Sequence, residues 1–245
     1  MTIQRIENIT IDYYSHFCGI HLIGLKPGMY FICSADRDEI LSGFGCKYTI
    51  HIFTNNDLCV VSYAPKYKDF MEQLKKCGRD EMILAVSRQF RLKKMTLMMF
   101  EKERVTYYGN ARILKAADYP LYEPFFRAIS PNANPDGWLY EYFIEKTEKE
   151  YFAGYFSDNK LRSVCDAPDM PYMEGKIQHT GINTLEGERR KGYAACTAAL
   201  ATHHLIEKGV CPQWECHAEN TASVALAKSI GYKEYGAAYI LEEWE

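Results

Sequence analysis

Apolar positions along the chain recur with two periods, one suited to helices and one to strands. The apolar positions from Tyr13 to Leu25 follow a helical pattern, and Gly28–Ser34 (GMYFICS) reads as a strand after a Pro-Gly turn. Tyr48–Phe53 and Leu58–Tyr63 are strand-like runs around Thr54-Asn55-Asn56-Asp57, which predicts a hairpin. Ala64-Pro65 breaks that pattern. Phe70, Met71 and Leu74 restore helical spacing within Tyr67–Cys77, Arg79–Phe90 predicts a further helix, and Lys94–Phe100 predicts a strand.

The charged run Glu101-Lys102-Glu103-Arg104 marks the expected domain junction. Beyond it the pattern predicts a strand at Ala111–Leu114, helices at Ala117–Ile129 and Trp138–Glu148, and a hairpin of Tyr151–Phe156 with Leu161–Cys165. A strand at Lys176–Thr184 follows a Pro-rich loop. Next come a long helix at Arg190–Lys208 closed by Gly209 and Pro212, a strand at Gln213–His217, a helix at Thr221–Ile230 and a last strand at Tyr235–Leu241. The class expected is α/β (α+β), with a smaller N-terminal α+β domain at 1–104 and a mixed sheet flanked by helices at 105–245.

Composition narrows the function classes. At 245 residues with 47% apolar and 25% charged residues, the chain has the make-up of one large or two modest globular domains. A net charge of −3 argues against a general nucleic-acid binder, which carries a basic excess. No apolar run reaches the roughly 18 residues that span a bilayer, and the start (MTIQRIENIT) lacks a signal-peptide pattern. Nine scattered cysteines without a C-x-x-C pair argue for reduced thiols in a cytoplasmic protein and give a zinc site no support. His203, His204 and Glu207 lack the H-E-x-x-H arrangement, so no metal is expected.

The most informative stretch is Ile177–Ala195 (IQHTGINTLEGERRKGYAA), a strand, a polar loop, a basic turn, Gly192 and a helix rich in small residues. The first amides of a helix lack intrahelical acceptors and sit at the positive end of its dipole, so an anion is favoured there. Gly192 allows close backbone approach, and Arg189, Arg190 and Lys191 add charge suited to phosphates. A merely basic, solvated helix start would show the same residues. The rival phosphate motifs fail: there is no G-x-x-x-x-G-K-[ST], and Tyr48 stands where a G-x-G-x-x-G begun at Gly43 needs its third glycine.

Arg189-Arg190-Lys191-Gly192-Tyr193-Ala194 matches Q/R-x-x-G-x-G/A, and Asn220, the helix from Thr221 and Gly231-Tyr232 follow in order. In these residues the chain resembles the GCN5-related N-acetyltransferase (GNAT) family. A wider set, Thr184, Arg189, Gly192, Ala194, Gly209, Pro212, Trp214, Cys216, Ser223, Leu226, Ala227, Gly231 and Tyr232, is similar to the pattern of bacterial acetyltransferases grouped with the zwittermicin A resistance protein.

The resemblance implies acetyl-CoA as acyl donor and transfer of its acetyl group to the amine of a small molecule by direct attack. Backbone groups of Ile182, Asn183 and Thr184 would pair with the pantetheine arm. The residues from Arg189 to Ala194, namely Arg189, Arg190, Lys191, Gly192, Tyr193 and Ala194, would hold the pyrophosphate, and Asn220 and Ser223 would lie beside the cofactor arm. The strands at Ile177–Thr184 and Gln213–His217 would splay to form the cleft.

The family's thiolate acid is a tyrosine at the position of Ala227 here, which leaves Ser223, a nearby tyrosine or water as substitutes, or departure of the thiolate unaided. His179 and Glu215 are the candidate bases, and a hydrogen-bonded strand side chain is the plainer reading of either. The N-terminal portion is expected either to wall the substrate cleft or to serve stability or homodimerisation. A catalytically silent acyl-CoA-binding module and transfer of a longer acyl group remain as alternatives.

Overall fold

The computed structural model describes residues 1–102, 109–166 and 170–244. Its first helix, α1 (Ile3–Cys18), starts at Ile3 rather than Tyr13 and stops before Leu25. The physical reasons lie at its ends. The Thr2 side chain accepts from the Arg5 amide at 3.3 Å, and Gly19 closes the helix in the left-handed region at φ 66°. Ile6, Thr10, Tyr13, Tyr14 and Phe17 form its buried stripe.

The elements that follow are β1 (Gly28–Cys33), β2 (Cys46–Asn55), β3 (Leu58–Tyr63), α2 (Lys68–Leu74), α3 (Arg79–Gln89) and β4 (Lys93–Phe100). After them come β5 (Ala111–Ile113), α4 (Tyr119–Ile129), α5 (Leu139–Glu148), β6 (Ala153–Ser157) and β7 (Lys160–Cys165). The last part holds β8 (Ile177–His179), β9 (Ile182–Thr184), α6 (Tyr193–Glu207), β10 (Cys211–His217), α7 (Thr221–Ile230) and β11 (Tyr232–Trp244). Both expected hairpins form, β2 with β3 and β6 with β7. The single strand expected over Lys176–Thr184 is two short strands, and α6 begins at Tyr193 rather than Arg190 because Arg190 and Gly192 take positive φ values of 62° and 82°.

Two sheets result, and the mixed α/β class is as expected. The larger has the order β1-β3-β2-β11-β4-β10-β8 and the smaller β5-β6-β7-β9. β11 lies antiparallel between β2 and β4, and β4 lies antiparallel between β11 and β10. Strands from both sides of residue 104 therefore alternate in the large sheet. Of the expected junction, Glu103 and Arg104 lie outside the described residues. The order cannot be read from local pattern, because these pairings join residues far apart in sequence. At the bulge where β11 changes register, Gly236 sits so close to β2 that an added Cβ would fall 2.4 Å from the Thr54 carbonyl oxygen.

Strand alternation sorts the core into layers. Cys59, Val61 and Tyr63 of β3, with Ile50 and Ile52 of β2, meet Met71, Leu74, Met82 and Val86 of α2 and α3. On the opposite face Phe53 and His51 meet α1, with Tyr14–Phe53 and Phe17–His51 ring centroids 5.9 and 5.2 Å apart. α4 and α5 cover one face of the small sheet through Tyr122, Phe125, Leu139 and Phe143, and Leu200 and Ala201 of α6 pack with Ala153 and Cys165 of that sheet in a separate cluster. All nine cysteines are free.

Because β4 is the ladder partner of both β10 and β11, residues 105–245 expressed alone are expected not to fold. Circular dichroism and amide exchange on that fragment check this, and co-expression with residues 1–104 is expected to restore a folded complex.

Candidate active site

The site begins where one extended segment serves two sheets. β8 pairs parallel to β10 with His179 opposite Gln213, and Thr180 fastens the end of that ladder. Its amide and its hydroxyl both donate to the Gln213 carbonyl, at 2.8 and 2.9 Å. After Gly181 the chain crosses to the small sheet, where β9 pairs antiparallel to β7. The segment and β10 thus part, as the expected splay required.

β9 is the edge of its sheet. The Leu185 amide donates to the Arg162 carbonyl at 3.1 Å, which sets the alternation along β9. The peptide groups of Asn183 point at β7, and those of Ile182 and Thr184 point at the open edge. Of the three backbone positions expected to meet a ligand, two are therefore available in the wedge and Asn183 is turned away. Its side chain is also engaged, donating to Asp166 at 3.3 Å, while the Thr184 hydroxyl lies 2.8 Å from that of Ser163.

Beyond β9, Gly192 caps α6 in the left-handed region at φ 82°, with nothing within 4 Å of where a Cβ would stand. The Cys196 amide makes the first helical bond, to the Gly192 carbonyl at 3.1 Å. The amides of Tyr193, Ala194 and Ala195 thus have no acceptor within the helix. Arg189 and Arg190 are exposed beside them. Lys191 is less free, since its ammonium lies 2.8 Å from Glu188, which also holds Arg162 at 2.9 Å. The Lys191 bond keeps the Glu188 carboxyl below the usual range. Tyr193 stacks on Tyr155 with centroids 4.2 Å apart, which fixes the first residue of α6.

Asn220 caps α7, its side chain accepting from the Ser223 amide at 3.1 Å. The Ser223 hydroxyl in turn accepts from the Trp214 indole at 3.1 Å. Ala227, one turn later, is fully buried.

A cavity of about 420 Å³ opens beside the splay. Its floor carries His179 and Glu215, Asn220 stands at its edge, and Tyr13, Phe44, Tyr48 and Met95 wall it from the N-terminal half. Gln213 and Glu215 point to the α1 face of the sheet, where the Gln213 amide donates to the Tyr14 hydroxyl at 3.0 Å and to the Glu215 carboxylate at 3.1 Å. Trp214 points the other way, toward α7, so the alternation expected of β10 holds.

The two candidate bases differ sharply. Burial pushes the Glu215 carboxyl up to about 7, opposed by the Gln213 hydrogen bond. Burial pulls His179 down to about 4. Its Nε2 lies 3.3 Å from the carbonyl oxygen and 3.4 Å from the amide of Glu215, whose backbone edge the departing strand leaves open. His179 therefore fills a missing ladder position, and its Nδ1 is buried without a partner. The Tyr13 hydroxyl is also buried without a partner, and burial and the nearby Glu215 raise its pKa well above the ordinary value.

The sequence offered no signal for Tyr13, Phe44, Tyr48 or Met95 as cavity walls, because only the sheet order brings them to β10. Phe143 is buried in the core, whereas Trp138 and Tyr140 are exposed. His203 pairs with Glu207 at 3.0 Å and His204 with Glu150 at 3.2 Å. Among the described residues no three His, Cys, Asp or Glu side chains are grouped to hold a metal, and no helix is long and apolar enough to cross a membrane.

Residues 139–240, from α5 into β11, match the family model described as GNAT acetyltransferase. The chain is an N-acetyltransferase, and in this segment it is similar to the GNAT acetyltransferases. The Bacillus subtilis protein named "Uncharacterized N-acetyltransferase YdfB" is 22% identical over 222 residues, which cover 86% of this chain and 76% of that protein. A GNAT-family acetyltransferase from Colwellia psychrerythraea has a similar fold over 98% of this chain and 97% of its own, with a TM-score of 0.55 and 13% identity. A putative GNAT-family acetyltransferase from Novosphingobium aromaticivorans aligns over 63% of this chain and 66% of its own, with a TM-score of 0.48 and 18% identity. The likeness of fold to the Colwellia structure extends across the N-terminal half of this chain, which the family model leaves unmatched.

The raised Glu215 pKa has a consequence for stability. Folding lifts the carboxyl from 4.5 to about 7, so the folded state holds a proton that the unfolded state releases. The cost of burying the charge is absent below the unfolded value and grows as pH climbs from 4.5 to 7. Glu215→Gln is expected to be more stable than the parent at pH 8, by about 1–3 kcal/mol, and equal to it near pH 4. Thermal melts across that range check the sign.

Proposed function

We propose that this enzyme transfers an acetyl group from acetyl-CoA to the amine of a small molecule, with Glu215 as general base. The observation that carries the reading is a carboxyl with a pKa of about 7 on the floor of an aromatic-walled cavity at the strand splay. A base poised near neutrality can take a proton from an ammonium and still be ionised at working pH. His179, at about 4, stays neutral and holds the open edge of β10.

The chain fits the cofactor. The outward peptide groups of Ile182 and Thr184 suit a pantetheine arm lying as an added strand. The free amides from Tyr193 to Ala195, the open space at Gly192 and the exposed Arg189 and Arg190 suit a pyrophosphate. Lys191, shared with Glu188, adds less. Acetyl-CoA when bound supplies the activated acyl group. Gln213, held by Tyr14, orients the Glu215 carboxylate, and Tyr13, Phe44, Tyr48 and Met95 exclude water around the acceptor. This is the substrate-walling role for the N-terminal half.

A proton donor for the departing thiolate is not supplied at Ala227. Ser223, one turn earlier on α7, is the proposed substitute, with its oxygen positioned by Trp214. The apolar side chain at position 227 is also the observation that favours a second reading, an acyl-CoA-binding module without turnover. The finer grouping with the zwittermicin A resistance protein rests on the motif pattern alone.

Glu215→Gln is expected to lower kcat by about 10²–10⁴-fold, to leave acetyl-CoA affinity unchanged, and to remove the acid-side limb near pH 7 from the kcat/KM profile. Free-thiol release across an amine panel, with calorimetry for acetyl-CoA, checks all three. Binding without turnover on any amine would favour the silent module.

Gly192→Glu is expected to abolish acetyl-CoA binding at a folding cost of about 1–2 kcal/mol for the left-handed backbone. Gly192→Ala carries the same strain without the charge and is expected to keep measurable affinity. Retained binding by a folded Gly192→Glu protein would contradict the pyrophosphate assignment.

A further inference from the structure

Arg37 stands on the short 3-10 turn Ala35–Asp38 and is only 2% exposed. Its Nε and Nη1 have no hydrogen-bond partner, and Nη2 makes only a long bond of 3.4 Å to the Tyr172 hydroxyl. Among the described residues no carboxylate lies within ion-pair distance of it. The acidic neighbours on its own turn point elsewhere, Asp38 toward Lys66 at 3.8 Å and Asp36 into solvent. An arginine keeps its charge in any protein interior, and a buried charge without a counter-charge is costly.

The surroundings define what fits. The guanidinium carbon lies 6.0 Å from the Phe17 ring centroid, and the same ring stacks on His51 at 5.2 Å. His51 is 2% exposed and its Nδ1 also lacks a partner. Burial and the Arg37 charge pull its pKa down to about 3, so it adds a neutral polar atom and no second positive charge. One net charge among rings matches a monoanion, and the planar fork of arginine matches a carboxylate. Phe17 also touches Tyr13 at 5.2 Å and Tyr48 at 5.7 Å, and both of those line the cavity above Glu215. One aromatic ring separates the guanidinium from the cavity wall.

We propose that Arg37, with His51 and Tyr172, binds a carboxylate, brought either by an acceptor that reaches from the cavity or by a separate free acid. The acceptor source rests on the acetyl-transfer reading and the free-acid source does not.

The full chain is melted with benzoate against chloride at equal ionic strength, and benzoate is expected to raise the midpoint. Arg37→Met, which removes the unpaired charge, is expected to lose that response. Should it not fold, Arg37→Lys keeps the charge without the planar fork and is expected to bind benzoate more weakly than the parent. Calorimetry then compares phenylalanine with phenethylamine, which differ by the carboxylate alone. Tighter binding of phenylalanine by about 10- to 100-fold, lost in the Arg37 variant, identifies the acceptor as the source. Equal binding of the two with the benzoate response intact identifies a free acid. No benzoate response in the parent, or an equal response in the Arg37 variants, overturns the proposal. Failure of acetyl transfer to every amine with the benzoate response intact removes the transferase reading and leaves the carboxylate site standing.

Discussion

The structure turns on the two bonds from Thr180 to the Gln213 carbonyl. They hold β8 to β10 up to the last residue before the segment must leave for the other sheet. Without a firm end to that ladder the wedge between β9 and β10 would have no fixed apex, and neither its width nor the direction of Glu215 would be determined. The Thr180 hydroxyl also lies 3.2 Å from that of Tyr232, which lies 3.0 Å from Thr202 on α6. The apex is thereby tied to the last strand and to the helix whose N-terminus faces the proposed pyrophosphate. One buried polar chain joins the sheet, the splay and the helix at the proposed anion end of the site.

The splay also accounts for the division of labour between two side chains that sequence alone could not rank. Parting the strands leaves the Glu215 peptide edge without a backbone partner, and a buried peptide edge needs one. The His179 ring stands in that place, its Nε2 serving either the Glu215 carbonyl or the Glu215 amide, and burial keeps the ring neutral. Glu215 is on the same face, enclosed by Tyr13 and Tyr48, and burial drives its pKa in the opposite direction. Desolvation disfavours the charged form of both groups, but that lowers a histidine and raises a carboxylic acid. The same environment therefore disarms one candidate base and tunes the other to neutrality.

The parts legible in the sequence were those whose chemistry is local. Arg189–Ala194 could be read because a helix N-terminus, a glycine in the left-handed region and adjacent cations are contiguous. Both hairpins could be read from their turns. The cavity wall could not, because Tyr13, Phe44, Tyr48 and Met95 reach β10 only through β4 and β11 interleaving with strands from the other side of residue 104. The start of α1 was missed for a different reason. Its cap is a single threonine, and Ile3, Ile6 and Ile9 read as a helix only once that cap is placed.

The distribution of unsatisfied polar atoms carries the argument one step further. Buried side-chain atoms without partners occur on Tyr13, Arg37, His51, Ser62, His179 and Gln213. Alternation along β3, β8 and β10 and the contacts of Phe17 place these residues in the layer between α1 and the large sheet. The layer under α2 and α3 and that under α4 and α5 contribute none among the described residues. Native interiors satisfy nearly all such groups, and each exception calls for a reason. A destabilising deficit spread at random would suggest loose packing, but a deficit gathered in the one layer that adjoins the cavity has a direction. It is the layer that the proposed acceptor and the proposed carboxylate would adjoin. That layer is built jointly by the N-terminal half and by β10, so on the proposed reading the segment matched by the family model does not hold the whole site.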